Sequence, residues 1–425
     1  MKLLVCLVAL ASLAVAATPE IAGSWVFYRV AFGDEAYSGR VELKVDGTKV
    51  TGSLNDLKLE GTLENGTLTL QATRPNGQEF ATLEGHMEGA ELHGVAHRES
   101  DTIDWLARRA PAPVTAAPQT RFFEPTVFHR KFSGTIEPAM HINPGDTVKT
   151  WTVDAGGYDP KGTRRSNGGN PETGPFYVEG AMPGDTLIVK LNRIRLNRDT
   201  AGSGDRITSD ALDADYNRDA KYDDHFSSRW KLDREAGMAM LAQPSEHLKD
   251  YRVKLQPMLG CVAVAPRNKQ AFDSGWLGSF GGNMDFNGLR EGTTLYLPVF
   301  QEGALLFVGD GHAAQGDGEL TGDALETSMD VEFTVDLVRG HSTDGPRAEN
   351  DEYLMAMGIA NSLPDAVRDA TTALARWLER DYHLTANESA IVLGTAMRYD
   401  IAELVDPRVN VVAKVSKSVL AALPK

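Results

Sequence analysis

A stretch of Pro, Ala and Thr, APAPVTAAPQT at residues 110–120, divides the 425-residue chain into unequal parts. Proline fixes its own φ and removes an amide donor, so such a run joins folded units rather than forming part of a sheet or helix. A chain of this length also exceeds the size at which a single core stops growing. The expected organisation is a leader at 1–17, a small β unit at 18–109, the linker at 110–120 and a larger unit at 121–425.

The leader is MKLLVCLVALASLAVAA. Lys2 supplies a positive start, Leu3 to Val15 an apolar run too short to span a bilayer, and Ala14-Val15-Ala16 the small residues of a cleavage site. It reads as a cleaved signal peptide, which makes the mature protein secreted or periplasmic. No later segment reaches the roughly 18 uninterrupted apolar residues of a membrane span, so no membrane contact is expected after cleavage. Cys6 lies in the leader and Cys261 is the other cysteine, which rules out an intrachain disulfide in the mature chain. The formal charge of −16 repels phosphate backbones and argues against a nucleic-acid partner.

Residues 18–109 consist of short alternating runs such as Ser24–Val30, Arg40–Val45 and Glu91–Ala96, separated by Asp46-Gly47 and Asn65-Gly66. Such X-Gly pairs between apolar runs mark hairpins, and a small β meander or barrel follows. Gly23-Ser24-Trp25 resembles the start of lipocalin-like barrels. The larger unit is β-rich from Arg121 to about Arg339. Pro-Gly-Asp-Thr occurs at 144–147 and again at 183–186, each time before β-branched residues, which predicts turn-plus-strand units in a β-sandwich. Residues 195–250 are polar, an excursion in which Asp213, Asp215, Asn217, Asp219 and Asp224 only loosely imitate a calcium loop: Arg218 stands where such a loop needs Gly. The C-terminal part is α/β. Ser362 and Thr385 begin helices with an acid three residues on, and Val367, Ala370, Leu374, Trp377 and Leu378 share a face.

The densest chemistry lies in GDGHAAQGDGE, residues 309–319. Asp310, His312, Asp317 and Glu319 are interleaved with glycines, and the apolar runs TLYLPVF and ALLFV precede them. A polar, glycine-rich loop held by apolar strands is a usual place for a site. Two further segments qualify: Gly281-Gly282-Asn283-Met284-Asp285, whose backbone amides and Asn283 suit an oxyanion, and Asp154 at a strand end before Gly156 and Gly157.

NPETGPFYVEGAMPGDTL, PMLGCVAVAP, GGNMDFNGLREGTTLYLPVF, GALLFVGDGHAAQGDGEL with ALETSMDVEFTVDL, and LVDPRVNVVAKVSK together resemble the acetamidase/formamidase family over residues 121–420. The resemblance implies a mainly β fold with a smaller α/β part, an amidase that hydrolyses short linear amides to a carboxylic acid and ammonia, a homo-oligomer (a dimer in the first instance), and metal near residues 309–319. Where many members carry a His before Gly-Gly-Asn-x-Asp, this chain has Ser279-Phe280. A primary amide needs an activated water, a held oxyanion and an acid for the departing nitrogen. On this reading Asp154, Asp310 and His312 hold a divalent metal, zinc first and calcium as a structural alternative. Glu319 or Asp317 carries the proton, Asn283 holds the oxyanion, and Gly281, Gly282, Asp285 and Phe280 bind the substrate. The competing reading is a non-catalytic secreted carbohydrate- or metal-binding β protein. Cys261, in the apolar run LGCVAVAP, reads as a buried structural thiol.

Overall fold

The protein is described from a computed structural model over residues 21–423, so the leader expected at 1–17 lies outside the described residues. Two compact units divide after Ala110.

The first unit is a closed eight-stranded antiparallel barrel, with β1 (Gly23–Ala31), β2 (Asp34–Asp46), β3 (Lys49–Leu54), β4 (Leu57–Glu64), β5 (Thr67–Thr73), β6 (Glu79–Glu88), β7 (Glu91–Arg98) and β8 (Asp101–Arg109) in sequential order and β1 closing on β8. Gly47 and Gly66 take positive φ in the turns that Asp46 and Asn65 begin. Alternation along each strand sends one set of side chains inward, and Trp25, Phe27, Leu68, Leu70, Leu83 and Trp105 form the barrel's own core.

The second unit is a β-sandwich with a helical edge. A nine-stranded sheet contains, among others, Thr147–Thr152, Thr186–Leu196, Thr294–Pro298 and Met329–Val338. A six-stranded sheet runs in the order Met140–Ile142, Thr173–Val178, Leu306–His312, Met258–Ala263, Gly281–Asn283, Leu277–Gly278. One apolar core joins the two, with Phe176 of one sheet against Phe333 of the other at 5.3 Å. Both Pro-Gly-Asp-Thr turns start strands, and in both the Asp is buried as a backbone acceptor: Asp146 takes the amides of Gln119 and Asn143, Asp185 those of Met182 and Gly340. Helix Leu363–Asp381 begins at Ser362, whose Oγ accepts from the Asp365 amide, and lays Ala366, Ala370, Leu374, Trp377 and Leu378 on strands Tyr353–Ala360 and Val409–Ser416. Thr385 and Glu388 form a reciprocal capping box on helix Ala386–Ala396.

In the polar excursion, Arg218 pairs with Asp215 and Asp219 and Arg206 with Asp224, so these carboxylates neutralise surface cations rather than converge on an ion. Among the described residues no helix is long and apolar enough to cross a membrane.

Residues 111–120 belong with the second unit. Arg339 donates to the Pro111 carbonyl at 2.7 Å, the Gln119 amide donates to Asp146, and Thr120–Phe122 pairs in parallel with Thr147–Lys149. A chain beginning at Pro111 therefore unfolds cooperatively by circular dichroism. One beginning at Arg121 melts lower, by about 1–3 kcal/mol in stability, because the buried Asp146 carboxylate loses a donor. Equal melting temperatures would show that residues 111–120 do not support the fold.

Candidate active site

Strand Leu306–His312 is buried along its whole length, on both faces. It delivers Asp310 and His312 into the interior, 2 % and 0 % exposed. The stretch Gly309–His312, expected as a loop, is thus the end of a central strand. The neighbouring strand Met258–Ala263 is equally buried and passes Gly260 beneath the pair. A Cβ on Gly260 would stand 2.4 Å from Asp285 Oδ1, 2.5 Å from Asp310 Oδ2 and 3.0 Å from His312 Cε1, so glycine is what lets these groups meet. The Gly260 carbonyl accepts the amides of Met284 and Asp285, which turns the chain after Gly281–Asn283 and brings Asp285 inward. Glu326 arrives through a bridge to His312, and Glu319 from a short turn at Asp317–Glu319.

The carboxylates surround one imidazole. His312 Nε2 lies 3.0 Å from Glu326 Oε1, 3.3 Å from Asp310 Oδ2 and 3.9 Å from Glu319 Oε1. Nδ1 lies 2.9 Å from Gln315 Oε1, and the Gln315 amide nitrogen donates to the Asp285 carbonyl at 2.6 Å. With that nitrogen committed, Oε1 faces the ring, so Nδ1 carries a proton in either charge state and Nε2, facing the acids, is the nitrogen whose proton a cation would displace. Buried without hydrogen-bond partners are His312 Nε2, both Asp285 oxygens, Asp310 Oδ1 and Glu326 Oε2. Among the described residues, the ion pairs of Asp285, Asp310, Glu319 and Glu326 are all with His312.

Burial, reinforced by neighbouring carboxylates, pushes the acids up: Asp285 and Glu319 well above the usual range, Glu326 to about 8 and Asp406 to about 7. Burial pulls His312 down, but the Glu326 and Asp310 charges outweigh it and carry it well above its ordinary value. Beneath the strand, Glu172 is fully buried, with its carboxyl raised by burial and by Asp310. Beside Asp285, a second acidic group forms with Glu403 and Asp406. Orphaned oxygens and one free imidazole nitrogen, desolvated and short of positive charge, fit a divalent cation.

The predicted residues divide. Asp310, His312 and Glu319 converge, and Asp285, expected to bind substrate, joins them as a carboxylate of the cluster. Asp154 does not reach it: Oδ2 accepts from Arg198 at 2.6 Å and Oδ1 from the Tyr158 amide at 2.8 Å, a structural pairing that already supplies its counter-charge. Asp317 is exposed, accepts from Asn287 and is not among the grouped carboxylates. Gly281 and Gly282 are paired on both sides within the sheet; Cβ atoms there would meet the Val262 and Trp276 carbonyls at 2.3 and 2.1 Å, so their role is close strand packing rather than substrate contact. Phe280 is packed in the core, stacked on Phe272 at 5.2 Å. Asn283 is in the site, but its amide nitrogen donates to Asp406 and its oxygen accepts from Asn170, so it positions Asp406 instead of offering a free donor. Glu326, Glu403, Asp406, Gln315 and Gly260 were not singled out by sequence reasoning. Glu326 and Asp406 do lie in the segments ALETSMDVEFTVDL and LVDPRVNVVAKVSK, which was the available signal. Cys261 is buried, with its thiol pushed well up by burial and the Glu172 charge, which suits a structural residue.

A cavity of about 850 Å³ opens onto this cluster. Asp310, Glu319, Glu326 and Asp406 lie at its base, Phe128, Ile136 and Trp276 give apolar wall, and His129, whose pKa burial lowers, stands with Arg130 and Lys131 on another side.

The profile of the Acetamidase/Formamidase family matches residues 278–406, the stretch that carries every cluster residue named above except Glu172, Gly260 and Asn170. The acetamidase of Mycolicibacterium smegmatis is 31% identical over 138 residues, 27% of this chain and 34% of that protein. A putative formamidase of Schizosaccharomyces pombe is 25% identical over 268 residues, 51% of this chain and 65% of that protein. The chain thus spans less than two thirds of these curated relatives. Among solved structures, a predicted acetamidase/formamidase from Thermoanaerobacter tengcongensis superposes with a TM-score of 0.61 at 26% identity, covering 72% of this chain and 99% of that one. An acetamidase from Yersinia enterocolitica gives 0.61 at 28% identity, with 72% and 94% covered. These are what the chain is similar to, and they establish the sandwich as the fold of such amidases.

Carboxyls raised in the folded state bind protons that the unfolded chain has released, so their contribution to stability is present below the unfolded value and is lost as pH rises through the folded one. For Glu326 that window runs from 4.5 to about 8, and for Asp406 from 3.8 to about 7. The raised His312 acts with the same sign. Chelator-treated protein should therefore melt at progressively lower temperature across this range, and a divalent cation should restore most of the loss. A melting temperature that rises with pH over the same interval contradicts the electrostatics of the cluster.

Proposed function

We propose that the chain hydrolyses the C–N bond of a small linear amide to a carboxylic acid and ammonia, using a divalent metal held by Asp310, His312 and Glu326. The observation that carries this reading is a buried His312 Nε2 within 3.0 and 3.3 Å of the Glu326 and Asp310 carboxylates, each of which has its other oxygen buried without a partner, at the base of a pocket and inside the stretch that the amidase family profile matches. Zinc is the ion proposed, because a mixed nitrogen and oxygen donor set suits it. When bound, such an ion acidifies water and polarises an amide carbonyl.

The remaining work belongs to side chains. Gln315 keeps a proton on Nδ1, so that Nε2 is the nitrogen left to hold the ion. Glu319 lines the pocket, and its carboxyl is raised by burial, then lowered in part by His312 and raised again by Glu326, Asp310 and Glu403. A buried carboxyl whose hold on its proton is strengthened in this way suits the protonation of a departing amine nitrogen, and Glu319, which lines the pocket beside the cluster, is assigned that role. Asp406, fixed by Asn283, extends the acidic wall. Phe128, Ile136 and Trp276 exclude water from one side and favour an acyl group with apolar carbon. The leader-like residues 1–17 support placing the reaction outside the cytoplasm.

Purified protein should release ammonia from a panel of short amides, and chelation should slow it. Two variants separate the assigned roles. His312→Ala should lower metal content and turnover together. Glu319→Gln should keep the metal and lower turnover by about 10²-fold or more, the lower range of acid–base contributions. Wild-type turnover in Glu319→Gln moves the proton to another carboxyl; a Glu319→Gln protein without metal makes Glu319 a ligand. Ammonia release that is indifferent to chelation, with metal content unchanged, removes the metal from the mechanism.

A further inference from the structure

The eight-stranded barrel contains a second cavity, of about 680 Å³, that the proposed hydrolysis does not use. In an up-and-down barrel the hairpins β1–β2, β3–β4, β5–β6 and β7–β8 lie at one end. The cavity is lined by residues of these hairpins, including Asn55, Asp56, Pro75 and Asn76, so that end is its mouth. The far end is closed. Trp25 is fully buried there, its Nε1–H donates to the Ile21 carbonyl at 2.9 Å, and the Arg109 guanidinium lies 4.3 Å over its ring.

The interior is apolar: Phe27 and Trp105 stack at 5.1 Å, with Leu83 and Ile103 beside them. At the mouth the chemistry changes. Side chains on a strand alternate, so the position two beyond an inward residue is inward again. Two beyond Phe27 is Arg29, two beyond Ala72 is Arg74, and two beyond Ala96 is Arg98, all lining the cavity. Arginine thus follows the apolar inward row at three places near the mouth: Arg29 in β1, Arg74 just beyond β5 and Arg98 at the end of β7. Arg74 and Arg98 both lie over the Phe80 ring, at 5.1 and 4.7 Å. Among the described residues none of the three has a carboxylate partner within ion-pairing distance, and Asp56 is the one acid among the lining residues. Charge this concentrated runs against the chain's formal −16. A second, independent observation is that the buried Trp105 Nε1–H, on a cavity-lining side chain, has no hydrogen-bond partner.

We infer that the barrel binds one small amphipathic anion, its apolar body in the aromatic interior and a carboxylate-type head group at the arginine mouth. Barrels of eight strands have interiors that are filled by side chains or hold one small ligand, and this one has left space. Guanidinium groups stacked on an aromatic ring are pre-placed to donate paired hydrogen bonds to a carboxylate.

Calorimetric titration of the full mature chain with sodium decanoate, with decanol as its uncharged counterpart and decyltrimethylammonium as its cationic one, tests this. The expected result is one decanoate site per chain, about tenfold or more tighter than decanol, with the cation weakest. The double variant Arg74→Gln/Arg98→Gln should weaken decanoate about tenfold, leave decanol unchanged and leave ammonia release at its wild-type level. Should that variant fold poorly, wild-type protein decides: raising salt from about 0.05 to about 0.5 M should weaken decanoate and not decanol. Decanoate no tighter than decanol, no decanoate binding, salt-independent decanoate binding, or decanoate binding that survives in a folded double variant overturns the inference. Because ammonia release is read separately, failure here and failure of the amidase reading are distinguishable.

Discussion

The second unit is organised around a cost: several carboxylates and one imidazole are taken out of water together. Two like charges about 4 Å apart repel by about 4 kcal/mol at an effective dielectric constant of 20, and here Asp285, Asp310, Glu319 and Glu326 all face His312. Both Asp285 oxygens and one oxygen each of Asp310 and Glu326 are buried without hydrogen-bond partners. The surrounding fold makes such crowding sterically feasible. Two fully buried central strands carry the groups, and small residues on those strands admit the acids: Gly260 under Asp285 and Asp310, and Gly309, where a Cβ would stand 2.2 Å from Glu172 Oε2. Structures that tolerate buried charge at this density resolve it with protons or with a cation. The raised carboxyls express the first solution, and the donor set fits the second.

Much of the fold was legible because local chemistry and global structure agree. The X-Gly turns of the barrel, the buried Asp in each Pro-Gly-Asp-Thr turn, and the caps at Ser362 and Thr385 all act over a few residues. The site was legible only where residues sit together in sequence. Asp310, His312 and Glu319 were visible within one segment, although polarity suggested a loop where a buried strand ends. That conflict between a strand's burial and its charges is what a functional site produces. Glu326, Glu403 and Asp406 come from other segments and look like ordinary carboxylates at element ends; only the tertiary fold gathers them. Asp154 looked the same from sequence, and what separates it is a partner 44 residues away, Arg198. A glycine pair in sequence suggests amide donors, whereas at Gly281 and Gly282 the absence of a side chain is used for packing.

The two units place charge of opposite sign at their cavities. The sandwich gathers acids at the base of its pocket, while the barrel keeps an aromatic interior and places arginines at the mouth. Each arrangement selects ligands of a different charge by desolvation and Coulomb attraction rather than by shape alone.

The buried carboxylate and imidazole group is proposed as a cation site on which the amide chemistry depends. Crystals of active protein, measured at and below the zinc absorption edge, test it directly. The expected result is an anomalous peak within coordination distance of His312 Nε2 and of the Asp310 and Glu326 carboxylates. Fully active crystals with no anomalous peak of any metal in that group, or with the only peak elsewhere in the chain, would contradict it.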